Sequence, residues 1–98
     1  MNEETSTEKW VLSLYIAGMT PAAHRALDNI KAICEEHLQG KYSLEVIDLI
    51  EQPGLAETHQ IFAVPTVVRQ LPSPLRKIIG DLADSERVLV GLELHAAV

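Results

Sequence analysis

Side chains that could perform chemistry are few in this sequence, and their spacing assembles no recognisable site. The single cysteine, Cys34, excludes an internal disulfide and a CxxC redox or metal pair. Among the four histidines His59 has a carboxylate at two-residue spacing, at Glu57, but no second ligand pair accompanies it. The serines lack a GxSxG elbow, and the glycines form no phosphate-binding loop. The sequence therefore predicts a protein without catalytic residues, metal ligands or a cofactor.

Positive charge is concentrated in one short segment of an otherwise acidic chain. Arg69, Arg76 and Lys77 lie within nine residues, whereas the whole chain carries a formal net charge of −6. Two interpretations are open: a solvated strand edge, where lysine and arginine are common, or a basic patch that docks an acidic partner surface. The overall acidity argues against nucleic-acid binding, which usually requires a basic face.

The first half of the chain has clear signals for regular structure. Residues 10–18 are β-rich and almost continuously apolar, which predicts a central strand buried on both faces. Thr20 as N-cap and Pro21 at the first helical position predict the start of an amphipathic helix that ends near Gly40. Residues 42–50 predict a second strand, and the helix-length connection makes the three elements a parallel βαβ unit. A helical turn or two should follow it.

Length and composition indicate one small domain in the cytoplasm. Residues 1–8 predict a solvated acidic tail, and residues 9–98 the domain itself. The start lacks the basic segment of a secretory signal, and the longest apolar runs are about half of a membrane span. A core this small is often stabilised by association, so a homo-dimer or homo-tetramer is expected. Cys34 falls on the apolar face of the helix and is predicted to be a buried packing residue.

The second half of the chain gives conflicting signals. Residues 64–68 predict a strand, with Pro65 restricted to an edge or to its first positions. Residues 73–81 fit either a helix that begins at Pro74 or a short strand. Residues 85–94 fit a period of 2 and a period of 3.6 equally well, and Gly91 weakens either structure by about 1 kcal/mol. Periodicity does not decide between the two.

Several stretches resemble the KaiB family of clock and clock-like proteins. They are LYIAGMTP (14–21), YSLEVIDL (42–49), VPTVV (64–68) and LPSPLRKIIGDLADSERVLVGLEL (71–94). The resemblance runs from about residue 10 to residue 94 with consistent spacing. The last stretch is the most specific, because it is not a generic signature of any fold.

The resemblance implies an α/β fold that switches between two forms. The N-terminal half is a thioredoxin-like βαβ unit, and the C-terminal half adopts either the KaiB ground-state topology or a thioredoxin-like one. In the ground state residues 73–81 are helix and residues 88–94 strand, and the protein associates into dimers or tetramers. In the other state these assignments exchange, and the monomer binds KaiC, a hexameric RecA-like ATPase. The candidate residues for the switch are Pro65, Pro72, Pro74, Gly91 and Glu93. The three prolines would act by isomerisation of the peptide bond before them.

The resemblance also implies partner contacts and a function. The candidate partner-binding residues are Arg25, Glu45, Gln60, Arg69, Arg76 and Lys77. Family clock members usually carry lysine at the positions of Glu45 and Gln60, so KaiA-like or SasA-like proteins are only secondary expectations as partners. We expect a non-enzymatic regulator of a KaiC-type ATPase, in circadian timing or a related stress-adaptation system. The alternatives are a single-fold oligomeric thioredoxin-like scaffold and a thioredoxin-like redox protein that uses Cys34.

Overall fold

Seven elements follow one another in the computed structural model, which describes residues 9–94. The strands are β1 (Trp10–Ile16), β2 (Tyr42–Asp48), β3 (Thr66–Leu71) and β4 (Arg76–Ile79), and the helices are α1 (Pro21–Leu38), α2 (Gly54–Thr58) and α3 (Ser85–Gly91). The strands form one sheet in the order β2-β1-β3-β4. β1 is parallel to β2 and antiparallel to β3, and β3 is antiparallel to β4. The predictions for the tail at 1–8 and for residues 95–98 lie outside the described residues.

The βαβ unit of the N-terminal half is confirmed. β1 lies inside the sheet and is buried on both faces, as its continuous apolar character predicted. The Thr20 hydroxyl accepts a hydrogen bond from the backbone N–H of Ala23 at 3.1 Å, and Pro21 is the first helical residue. At the other end Gln39 adopts a left-handed conformation with φ of 49°, just before Gly40. The predicted cap and end of this helix are therefore both correct.

The two faces of the sheet carry separate cores. The larger core, called here the helix-face core, lies between the sheet and helices α1 and α3; it includes Leu12, Leu14, Ile30, Cys34, Val67, Ile78, Val88 and Leu92. The smaller core lies on the α2 side and consists of Tyr15, Ile47, Ile61 and Val68 with partly buried neighbours. Cys34 is completely buried in the helix-face core, which confirms its prediction as a packing residue.

The ambiguous C-terminal half adopts one of its two predicted arrangements. Residues 76–79 form strand β4 rather than a helix, and residues 85–91 form helix α3 rather than a strand. Asp84 caps α3, since its carboxylate accepts a hydrogen bond from the backbone N–H of Arg87 at 3.1 Å. Within the described residues the architecture is thus a mixed α/β fold with the thioredoxin-like form of the C-terminal half.

The three prolines of the second half all follow cis peptide bonds. These bonds are Val64–Pro65, Leu71–Pro72 and Ser73–Pro74. Pro65 immediately precedes β3, and the other two lie in the connection between β3 and β4. A change of isomer between two folds stays a prediction.

Within residues 9–94, no helix combines the length and the apolar character that crossing a bilayer would require.

Candidate functional site

Exposed apolar side chains collect at one end of the sheet. β1 and β2 are parallel and β3 is antiparallel to β1, so the loops that follow β1 and β2 and the loop that precedes β3 lie at the same end. Four large apolar side chains in these loops are exposed by 51%, 69%, 88% and 41%: Met19, Ile50, Phe62 and Val64. We call these four residues the loop face. An apolar surface of this kind often marks a binding site.

The loops that carry the loop face are tied to one another. The carboxylate of Asp48 accepts hydrogen bonds from the backbone N–H of Gly18 at 3.0 Å and of Ile50 at 2.9 Å. Gly18 has a φ of 76°, a conformation that favours glycine. The backbone N–H of Gly80 donates to the carbonyl of Pro65 at 2.9 Å, which joins the loop after β4 to the start of β3. The loops that carry the loop face are therefore joined to neighbouring segments by hydrogen bonds.

Three of the predicted partner-binding residues lie near this end of the sheet. Arg25, in the second turn of α1, forms an ion pair of 3.2 Å with Asp81 beside the end of β4. Gln60 lies in the loop before Phe62, and its carbonyl accepts a hydrogen bond from Lys77 Nζ at 3.0 Å. Glu45, by contrast, is exposed on β2, the edge strand on the other side of the sheet. The structure therefore brings Gln60 and Lys77 together and separates both from Glu45.

The expectation of an exposed Arg69 is wrong. Its side chain is only 3% exposed, which fits neither a solvated edge nor an accessible basic patch. Alternation along β3 directs Arg69 to the helix face, where its guanidinium lies 5.4 Å from the ring centroid of Trp10. Nη2 donates to the carbonyl of Pro74 at 2.6 Å, whereas Nε has no hydrogen-bond partner in the described part of the chain. A partner contact by Arg69 in this arrangement would have to be indirect.

Glu93 joins the end of α3 to the β3–β4 hairpin. Its carboxylate accepts from Arg76 Nη2 at 3.2 Å and lies 4.0 Å from Arg69 Nη2. Arg76 is thus already paired on the helix face, whereas Lys77 points to the opposite face of β4. The three cations of the segment do not form one patch, because neighbouring strand residues alternate between faces.

Gly91 allows α3 to approach β4 closely. A Cβ added at this position would contact Cδ1 of Ile78 and lie 3.1 Å from its Cγ1. From the sequence, Gly91 was expected to weaken either element and to take part in the switch, but no local signal reveals a neighbour thirteen residues away. The roles of Gly91 and Glu93 in a switch stay predictions; their contacts here tie α3 to β4.

A buried polar cluster on the α2 side was not predicted. The hydroxyl of Tyr15 is hydrogen-bonded to Nδ1 of His59, and Gln70 Nε2 donates to the hydroxyl of Ser13 at 3.0 Å. Burial raises the pKa of Tyr15, and the negative charge of Glu45 adds to the shift. Alternation along β1 could have placed Ser13 and Tyr15 on one face, but His59 is 44 residues from Tyr15. His59 supports the smaller core here, and no group of three potential metal ligands occurs among residues 9–94.

The Cys34 thiol is unsuited to redox chemistry. It is fully buried, and burial together with the charge of Glu35 raises its pKa to about 12. Reactive cysteines are partly exposed and have a lowered pKa, since the thiolate is the nucleophile. Cys34 also lies near the C-terminal end of α1, far along the helix from the loop that follows β1.

Comparison with known sequences identifies relatives over nearly the whole chain. A family profile described as the KaiB domain matches residues 13–94. The circadian clock oscillator protein KaiB of Gloeothece citriformis is 52% identical over 90 residues, which cover 92% of this chain and 85% of the relative. The protein of the same description from a Nostoc species is 53% identical over 94 residues, which cover 96% and 85%.

Comparison with solved structures supports a thioredoxin-like fold. The N-terminal domain of Synechococcus elongatus SasA superposes with a TM-score of 0.73 at 22% identity, covering 93% of this chain and 90% of that domain. Mitochondrial thioredoxin 3 of Saccharomyces cerevisiae superposes with a TM-score of 0.69 at 17% identity, covering 88% and 78%. At these identities the likeness concerns the fold alone. The family profile and the identity to clock proteins go further, and on them the chain belongs to the KaiB family of circadian clock oscillator proteins.

Proposed function

We propose that this protein is a non-enzymatic regulator that binds a KaiC-type hexameric ATPase while in its thioredoxin-like form. The observation that carries the proposal is the arrangement of the C-terminal half, with a strand at 76–79 and a helix at 85–91. The resemblance to the KaiB family assigns this arrangement to the partner-bound form. The setting would be circadian timing or a related stress-adaptation system.

The loop face is the surface that supports docking best. Phe62 is 88% exposed, and buried aromatic anchors contribute strongly to protein interfaces. The loops around it are joined by hydrogen bonds through Asp48 and between Gly80 and Pro65, so little conformational entropy would be lost on binding. Arg25, Gln60 and Lys77, from the predicted partner-binding set, would form its polar rim.

Direct binding tests the proposal. The purified protein is incubated for a prolonged period with its cognate KaiC-type ATPase and ATP, and the mixture is separated by size-exclusion chromatography. We expect co-elution with the hexamer. Failure to co-elute, with both proteins folded, would refute the proposed function.

A matched pair of variants tests the docking surface. Phe62→Ala should weaken the complex by about tenfold, or roughly 1.4 kcal/mol, because it removes an exposed aromatic side chain from the loop face. Val46→Ala removes an exposed apolar side chain from β2, on the far edge of the sheet, and should leave the affinity unchanged. Equal effects of the two substitutions would exclude the loop face as the docking surface.

Amide NMR distinguishes the switching regulator from the single-fold scaffold. Slow exchange between two sets of resonances in residues 65–94, with ATPase binding intact, would support a protein that changes fold. One set of resonances and no ATPase binding would favour the scaffold. The redox alternative has no support from the buried Cys34 thiol, and alkylation in native buffer would check it directly.

A further inference from the structure

β4 has a free edge that presents backbone hydrogen-bonding groups. It is the last strand of the sheet, so only one of its edges is paired, with β3. The N–H of Gly80 donates to the carbonyl of Pro65 at 2.9 Å, and hydrogen-bonded pairs alternate along an antiparallel ladder. With the register of Ile79 opposite Thr66, the N–H and C=O of Lys77 and Ile79 therefore point away from β3.

An open groove of about 380 Å³ follows this edge. Its lining residues come from β3, β4, the loop before β3 and α3: Gln60, Ile61, Phe62, Thr66, Lys77, Ile78, Ile79 and Arg87. Phe62 and Ile79 are 88% and 54% exposed and give the groove an apolar floor beside the free backbone groups. An incoming strand would thus find both hydrogen-bond partners and apolar contacts.

The groove is positive although the protein is acidic. Lys77 and Arg87 line it, and no carboxylate does, while the chain as a whole has a net charge of −6. Lys77 Nζ is held by the carbonyls of Gln60 at 3.0 Å and His59 at 3.4 Å. In the described part of the chain neither Lys77 nor Arg87 forms an ion pair with a carboxylate. Their charge remains available to a ligand.

We propose that the free edge of β4 binds an extended segment of another protein, rich in acidic and apolar residues, as a fifth strand. Backbone pairing with Lys77 and Ile79 supplies affinity, as in other cases of strand addition. Side chains on one face of the added strand meet Phe62 and Lys77, and those on the other face meet Arg87. The groove shares Gln60, Phe62 and Lys77 with the proposed docking surface. The proposal goes beyond the proposed function because its ligand is an extended peptide, and it does not depend on the identity of the ATPase.

Charge selects this occupant over a second copy of the chain. Antiparallel pairing of two β4 strands in the register centred on their outward-pointing Lys77 would place Lys77 of one copy opposite Lys77 of the other. Like charges directly opposite one another destabilise a strand pair. Lysine on an edge strand also discourages pairing with uncharged strands. A segment that carries carboxylates turns the same lysine into an attractive contact.

Two labelled peptides test the proposal without any ATPase. One alternates valine and glutamate, and the other has lysine in place of every glutamate. Fluorescence anisotropy should show binding of the glutamate peptide and none of the lysine peptide. Amide hydrogen exchange should slow at Lys77 and Ile79 on binding, whereas Ile78, already paired with β3, should change little. Absence of binding, equal binding of both peptides, or binding without protection at Lys77 and Ile79 would overturn the proposal.

A reversal of the two charges tests the site and also controls for folding, because an unfolded variant would not gain affinity for a new peptide. The double variant Lys77→Glu/Arg87→Glu should lose at least about tenfold in affinity for the glutamate peptide, or roughly 1.4 kcal/mol, and should acquire affinity for the lysine peptide. Lys31→Glu/Lys41→Glu makes the same change in net charge at exposed positions on α1 and before β2, and should keep the original preference. Identical behaviour of the two double variants would assign the effect to net charge and refute a site at β4.

Discussion

Replacing Ile78 by alanine removes the side chain that joins β4 to α3. Ile78 is 7% exposed in the helix-face core, and its Cδ1 and Cγ1 lie against the position of Gly91. Isoleucine to alanine in a core costs about 2–5 kcal/mol, depending on how far the surroundings collapse. Because β4 is an edge strand and α3 is a short helix, we expect the surroundings of Ile78 to collapse partly and the free energy of unfolding to fall by about 2–3 kcal/mol.

Urea unfolding followed by the fluorescence of Trp10 measures this loss. Trp10 is the only tryptophan; it is 8% exposed and covered by the Arg69 guanidinium, so unfolding changes its surroundings. With a urea m-value of about 1.5 kcal/mol/M, the midpoint should fall by roughly 1.3–2 M. The free energy of unfolding of a domain of this size is about 5–15 kcal/mol, so the variant should remain folded in water.

Ile79→Ala is the matched control for this experiment. Ile79 follows Ile78 in β4, but its side chain is on the other face and 54% exposed. Its truncation should change the free energy of unfolding by no more than about 0.5 kcal/mol. Equal losses in the two variants would refute the packing of α3 on β4 through Ile78. In a strand, neighbouring side chains lie on opposite faces, so only the Ile78 side chain can contact α3.

Further results are expected for Thr20, Cys34, Tyr42 and Val90. Thr20→Ala should lower the free energy of unfolding in urea by about 1 kcal/mol, because the N-cap of α1 is lost; an unchanged midpoint would contradict the cap. Cys34 should resist alkylation at pH 8 until urea unfolds the protein. Because burial raises the pKa of Cys34 from its usual value of about 9 to about 12 in the folded protein, stability should also fall as the pH rises from 9 towards 12. In a spectrophotometric titration Glu35→Gln should lower the pKa of Tyr42 from about 12, since the carboxylate that accepts a hydrogen bond from the phenol hydroxyl is removed; no change would exclude that hydrogen bond. Val90→Glu should leave the urea midpoint within about 0.5 kcal/mol of the original, because Val90 is 73% exposed, and a large loss would place it in a core.

The N-terminal half was predictable because its local and long-range signals agree. The apolar spacing of α1, the Thr20 cap and Pro21 all favour the same helix, and the length of the connection then requires a parallel pair of strands. Burial of Cys34 followed from the same helical spacing. None of these predictions for the N-terminal half depended on which strand pairs with the other edge of β1.

The features that sequence reasoning missed depend on that sheet order. Because β3 inserts between β1 and β4, Arg69 comes to lie beside Trp10 and Pro74 instead of at an edge. The same insertion leaves β4 outermost and creates its free edge. The contact of Tyr15 with His59 requires α2 to fold back over the sheet. A pattern along the chain contains no information on these neighbours, so charge alone favoured an exposed Arg69.

Residues 85–94 show why periodicity could not choose between helix and strand. A period of 2 places Val88 and Val90 on one face, whereas a period of 3.6 separates them. In the structure Val88 is 1% exposed and Val90 is 73% exposed, so these two valines decide for the helix. Leu92 and Leu94 are fully buried, Leu94 because Glu93 takes a φ of 54° and turns the chain back after α3. Helix α3 and the turn after it therefore bury three of the four apolar residues that a strand would align and leave Val90 in water. A strand with period 2 would instead place Val90 on the same face as Val88, Leu92 and Leu94.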